Sequence, residues 1–201
     1  MISTKCIGST TFCTALIEHL NLLPRPGTAS PSMKIVTKTI VIRAAPPVVF
    51  AYMDAIGNTG AHMMNDSSMM MGSGLQLKQL SANATGPDAR YRWSGKVMGF
   101  PMDFTVVVTK WLKDYEKIWE TTGHPKMLIL SWYQMQLLVR PGSDQYQSTV
   151  SLCIRYKRPK PLFWRIVSLL LADWYANWCV DSMLQDSKAT LESTPTPTFP
   201  T

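Results

Sequence analysis

Three histidines and four cysteines carry most of the chemical versatility of this 201-residue chain. Their spacing argues against several chemistries. His19, His62 and His124 stand far apart and no pair has metal-ligand spacing, so no metal site is expected. A Cys–His nucleophile needs a thiol of low pKa with a base beside it. Cys153 falls opposite Leu152 and Ile154 on its strand and Cys179 sits mid-helix, so neither reads as a nucleophile. No G-x-S-x-G, P-loop or strand-linked G-x-G-x-x-G occurs, and Gly72-Ser73-Gly74 alone is a hinge. No cofactor is implied. What remains is acid–base work, in which one group polarises a carbonyl and another moves a proton. The candidates are Tyr91, Tyr133, His62 and Lys110. Each also has a plainer role open to it. Tyrosine fills cores as an amphipathic side chain, Lys110 snorkels at a strand end, and His62 lies on a surface helix.

The elements that must position these groups are strongly patterned. Residues 34–44 are β-branched and near-alternating, which predicts a strand. Pro46-Pro47 stops it and opens a helix whose Val49, Phe50, Met53 and Ile56 recur at helical spacing. Residues 57–66 predict a second short helix. After Gly74 the period changes to two, predicting strands at 75–82, 89–98, 102–112, 115–122, 127–139 and 145–157. The breaks between them, such as Lys113-Asp114 and Gly123-His124-Pro125, are short. Short breaks mean antiparallel neighbours, because a parallel crossover needs about a dozen residues or more. Residues 162–191 lack Gly and Pro and read as one long helix with Phe163, Val167, Leu170, Trp174 and Trp178 in a stripe.

A seven-stranded antiparallel sheet twists and curls, and one face must be covered. A single helix about 10 Å across cannot fill a wide curved sheet. A cavity lined by apolar and aromatic side chains follows. Three stretches make the chain resemble the START-like (SRPBCC) superfamily, the polyketide cyclase/dehydrase group. They are TIVIRAAPPVVFAYMDAI, YRWSGKVMGFPMDFTVVVTKW and WRIVSLLLADWYANWCVDSMLQDSKATLE, within residues 33–192. The resemblance implies an α+β helix-grip fold, a seven-stranded curved antiparallel sheet wrapped on a long C-terminal helix, with two short helices after strand 1. It also implies binding of a small hydrophobic ligand, lipid-like or aromatic, or alternatively cyclisation or dehydration of a polyketide in the same space.

Matching apolar faces pairs Val97 with Phe104 and aligns Tyr91 and Trp93 with Val106 and Val108. The two-residue turn at Lys113-Asp114 sets Trp119 beside Val108 and Lys117 beside Lys110. Counting back from the last strand favours Tyr133 on the inner face, while counting forward from Gly123–Lys126 favours Trp132. The expected ligand lining is therefore Tyr91, Trp93, Phe104, Val106, Val108, Trp119 and Tyr133, with Trp174 and Trp178 from the helix. Met63, Met64 and Met69 to Met71 are expected at the mouth, where thioethers adapt to varied apolar shapes.

The net charge of +7 is concentrated. Arg155, Lys157, Arg158, Lys160 and Arg165 form a block without an acid, beside Phe163-Trp164. The plain reading is a solvated turn, and the sharper one is transient docking on an anionic membrane surface. Nucleic acid is not an expected partner, since the aromatics fall on the buried-looking face. Cys6, Cys13, Cys153 and Cys179 read as free thiols in a reducing, cytoplasmic compartment. Residues 1–32 read as a poorly ordered extension, 33–192 as the ligand-binding domain and 193–201 as a disordered tail.

Overall fold

A computed structural model describes residues 33–64, 74–97, 99–159 and 162–193; of residues 162–167 and 170 it describes the helix backbone only. The extension, the tail, Met69 to Met71 and Lys160 lie outside the described residues, as do the side chains of Phe163, Trp164 and Arg165.

The chain runs β1 (Lys34–Ile42), α1 (Pro46–Asp54), α2 (Ile56–Thr59), α3 (Ala61–Met64), then six strands and a final helix. The strands are β2 (Leu75–Gln79), β3 (Arg90–Val97), β4 (Phe100–Leu112), β5 (Glu116–Lys126), β6 (Trp132–Pro141) and β7 (Ser148–Lys157); the helix is α4 (Leu162–Ser193). Pro46 and Pro47 occupy the first turn of α1, where a missing N–H costs nothing. They aim Val49, Phe50 and Met53 at the core. The strands form one curved, unclosed antiparallel sheet in the order β1-β7-β6-β5-β4-β3-β2. This is the expected α+β helix-grip architecture. Helix α4 packs on β1 and β7, and α1 to α3 pack on α4.

Several local expectations are corrected. The β3–β4 register pairs Trp93 with Phe104 and Val97 with Phe100, four residues from the expected alignment. The slip is even, so the inward and outward sets survive it. Of the helix expected over 57–66, the described part to Met64 is not one helix: Gly60 ends α2 and α3 follows at once, and residues 65–66 lie outside the described residues. Strand β5 does not stop at 122. It passes through Gly123, where a left-handed φ of 71° makes a bulge between the Thr105–Thr122 and Asp103–Lys126 pairs. Strand β6 starts at Trp132 rather than 127, leaving Met127 to Ser131 as a loop.

A second bulge has the larger effect. Val108 faces Trp119 as expected, but Lys110 then pairs with Ile118 and Trp111 with Lys117. The extra residue at Thr109 reverses the facing of the β4 residues beyond it, so Lys110 turns outward and Trp111 inward beside Lys117, which shares the Trp119 face by alternation. Lys117, expected beside Lys110, is fully buried and forms an ion pair of 2.7 Å with Asp54. The indole of Trp111 donates to the same carboxylate at 3.0 Å.

Candidate functional site

Between sheet and α4 lies a cavity of about 380 Å³, within the roughly 300–1,000 Å³ usual for small-molecule sites. Its floor is Trp93, Phe104, Trp119, Tyr133, Met135 and Ile154 from the sheet. Its roof is one stripe of α4, carrying Leu171, Trp174, Tyr175, Cys179 and Met183. Ile56, Gly60, His62 and Met63 close one side, and the loop Met127–Leu130 closes another. Leu171 and Trp174 line the space and are also exposed, Trp174 at 56%, so the cavity meets solvent there.

Of the residues expected to line it, Trp93, Phe104, Trp119, Tyr133 and Trp174 do. Tyr91, Val106, Val108 and Trp178 are not among its walls. The first three belong to the part of the sheet that α1 fills: Phe50 meets Trp111 edge-on at 6.1 Å, and Tyr91 senses the Asp54 charge. The Tyr91 hydroxyl is used up by the Ala84 carbonyl. Trp178 stands behind the wall, its ring 5.2 Å from His62 and 5.9 Å from Tyr175. Trp132 and Tyr133 are resolved in favour of Tyr133. Trp132 lies on the other face, 5.0 Å from the Lys157 ammonium.

Among the four acid–base candidates, His62 and Tyr133 share the cavity. Lys110 is outside it, in an ion pair of 2.7 Å with Glu116, for the reason given by the Thr109 bulge. His62 is not on a surface helix; it is 7% exposed. Its Nε2 lies 3.3 Å from Cys179 Sγ, and its Nδ1 is buried with no hydrogen-bond partner. Burial lowers the His62 pKa to about 4, and a weak contact with the Thr59 backbone offsets only a little of that. Burial pushes the Cys179 thiol up to about 12. Burial first, then the neighbouring Cys179 and Tyr175, push Tyr133 well above the ordinary tyrosine range, and Tyr175 rises for the same first cause. All four groups are therefore neutral at pH 7. The Cys179 thiol is held away from the thiolate form a nucleophile needs.

Sequence reasoning missed the meeting of His62 with Cys179, which are 117 residues apart. It also missed Gly60, whose absent side chain matters: a Cβ there sits 2.5 Å from the Trp93 ring. The run Met127-Leu128-Ile129-Leu130 was visible as apolar, but it reads equally well as the start of a strand. Of the basic block, Arg155 donates to Gln134 at 3.2 Å and Arg158 to Asp173 at 3.0 Å. Cys153 and Cys179 are not joined in a disulfide. Among the described residues no helix is long and apolar enough to cross a membrane.

No family model matches the sequence, and no curated protein matches it. Solved structures do resemble it. The Zhui aromatase/cyclase from a Streptomyces species is 11% identical with a TM-score of 0.61, over 80% of this chain and 94% of that one. Norcoclaurine synthase from Thalictrum flavum, in complex with dopamine and hydroxybenzaldehyde, is 14% identical with a TM-score of 0.55, over 88% and 99%. A START superfamily protein from Mycobacterium smegmatis is 9% identical with a TM-score of 0.54, over 80% and 99%. At these identities the likeness is one of fold.

Proposed function

We propose that this chain, which has the START-like helix-grip fold, holds a small hydrophobic ligand, lipid-like or aromatic, between its sheet and α4. The observation that carries this reading is the cavity itself: about 380 Å³, walled by apolar and aromatic side chains, and open beside Trp174. Burial of apolar surface supplies about 25 cal/mol per Å² of drive for such a ligand. The test is native mass spectrometry of the purified protein, with extraction and identification of any small molecule it carries. Titration with a neutral apolar fluorophore, read through Trp93, Trp119 and Trp174, gives the second measure. A protein that neither carries a small molecule nor binds the fluorophore defeats the reading.

A catalytic reading rests on one observation, that Tyr133 and His62 face the same largely apolar space. A cyclase or dehydratase of polyketide type uses such a pair to polarise a carbonyl and move a proton. Against it stands the neutrality of every polar group in the cavity, since an efficient acid or base has a pKa near the working pH. A ligand recovered unchanged after incubation supports the carrier. A ligand altered by the wild-type protein but not by Tyr133→Phe supports the catalytic reading.

The mouth adds a docking reading. Exposed Leu171 and Trp174 line the opening, and Arg158 bonds Asp173, which precedes Trp174 in α4. Apolar tips with basic neighbours suit an anionic bilayer from which a ligand is drawn. Co-sedimentation with phosphatidylserine vesicles should fall when Lys157 and Arg158 become Gln. Unchanged co-sedimentation removes this reading and leaves the cavity untouched.

A further inference from the structure

Most of the cavity wall is hydrocarbon, and its polar groups gather in one place. His62, Tyr133, Tyr175 and Cys179 all line it. Tyr133 and Tyr175 each sense Cys179, and Cys179 touches His62. The cluster lies about two helical turns along α4 from the mouth residue Leu171.

These groups are under-used within the protein. His62 Nδ1 is buried with no hydrogen bond of good geometry, the Thr59 backbone contact being the imidazole's other polar neighbour. Among the described residues no hydrogen bond is made by the Tyr133 or Tyr175 hydroxyl. A buried polar group left unpaired costs about 1–3 kcal/mol, so His62 Nδ1, in a cavity that two unengaged tyrosine hydroxyls also line, marks a place where a ligand's polar atom completes the set. The charge of that atom is constrained as well. Among the described residues no Asp, Glu, Lys or Arg lines the cavity. Lys117, the one fully buried ammonium among the described residues, is committed to Asp54 behind Trp119.

We propose that the cavity takes a neutral amphiphile, an apolar body with a single uncharged hydroxyl or phenol head, and seats that head among His62, Tyr133, Tyr175 and Cys179 while rejecting carboxylates. This deepens the ligand-binding reading and rests on it. The hydroxyl both donates and accepts, so it meets the imidazole in either tautomer and the tyrosine hydroxyls as well. An ionised carboxylate brought to the same place sheds its water and finds no cation, a penalty of several kcal/mol in real proteins. Burial keeps the His62 imidazole neutral at pH 7 in the empty cavity, so no cation stands ready there.

The experiment is displacement of N-phenyl-1-naphthylamine, a neutral probe, by 1-decanol and by decanoate at pH 8, on the full chain. Three proteins are compared: wild type, His62→Phe and Tyr133→Phe. Decanol is expected to bind at least tenfold more tightly than decanoate. Each substitution is expected to weaken decanol at least fivefold more than it weakens the probe, and an unchanged circular dichroism spectrum shows that the fold persists. Two results overturn the inference while the ligand-binding reading stands. One is decanoate matching decanol; the other is decanol held as tightly by both variants as by wild type. A wild-type protein that fails to bind the probe overturns both.

Discussion

Acidification tests the burial of His62 directly. The imidazole titrates at about 4 in the folded chain against an ordinary 6.5. At pH 7 both folded and unfolded chains hold it neutral, and it has no effect on the pH slope. Below pH 6.5 the unfolded chain takes up a proton that the folded chain refuses, so stability falls as pH falls. The loss saturates below about pH 4, where the folded protein also protonates. Each tenfold loss of proton affinity is worth about 1.4 kcal/mol, so the full penalty is about 3 kcal/mol, most of it present by pH 4.5. Against a total stability of about 5–15 kcal/mol, that is a large fraction. The assay is urea unfolding at pH 7 and pH 4.5 for wild type and His62→Gln, which cannot titrate. Carboxylates elsewhere protonate alike in both, so the difference isolates His62. Wild type is expected to lose about 2–3 kcal/mol more than the variant. Parallel losses, or an imidazole proton resonance titrating at pH 6 or above, would refute the reasoning.

Three further outcomes are expected. Asp54→Asn keeps an acceptor for Trp111 but leaves the Lys117 charge buried and unpaired; urea unfolding should show a loss of about 3 kcal/mol, and adding Lys117→Met should recover most of it. Gly60→Ala places a methyl against the Trp93 ring; the indole must move, with a stability cost of about 1–3 kcal/mol, and probe affinity should drop at least fivefold. Cys179, buried and with its pKa raised to about 12, should react with iodoacetamide at pH 7.5 about a hundredfold more slowly than a free thiol, measured by peptide mass spectrometry. A Gly60→Ala protein that binds as wild type does, or a rapidly alkylated Cys179, would contradict the packing described.

The architecture is legible in the sequence because its signals are local. Pro46-Pro47 separates strand from helix, the breaks after Gly74 are too short for crossovers, and residues 162–193 contain no breaker. Trp93, Phe104 and Trp119 are legible as lining because strand alternation survives an even register slip. The facing of Lys110, and Trp111 as the neighbour of Lys117, are not, because Thr109 adds one residue whose only trace is the pairing itself. His62 and Cys179 are not, because no local pattern relates a short helix after strand 1 to the middle of the last helix. Tyr91, Val106 and Val108 show the complementary limit. Alternation tells which side of a sheet they take, but not that Phe50 and Met53 of α1 arrive to fill that part of it.

The hollow between sheet and helix also bears on how the protein answers compression. Unfolding abolishes internal empty space, so squeezing the solution favours the unfolded chain in proportion to the void it removes. An apolar hollow stays dry and counts as void until something apolar occupies it. Unladen molecules therefore yield at lower hydrostatic pressure than laden ones, and the gap between the two thresholds gauges how completely the guest packs its chamber.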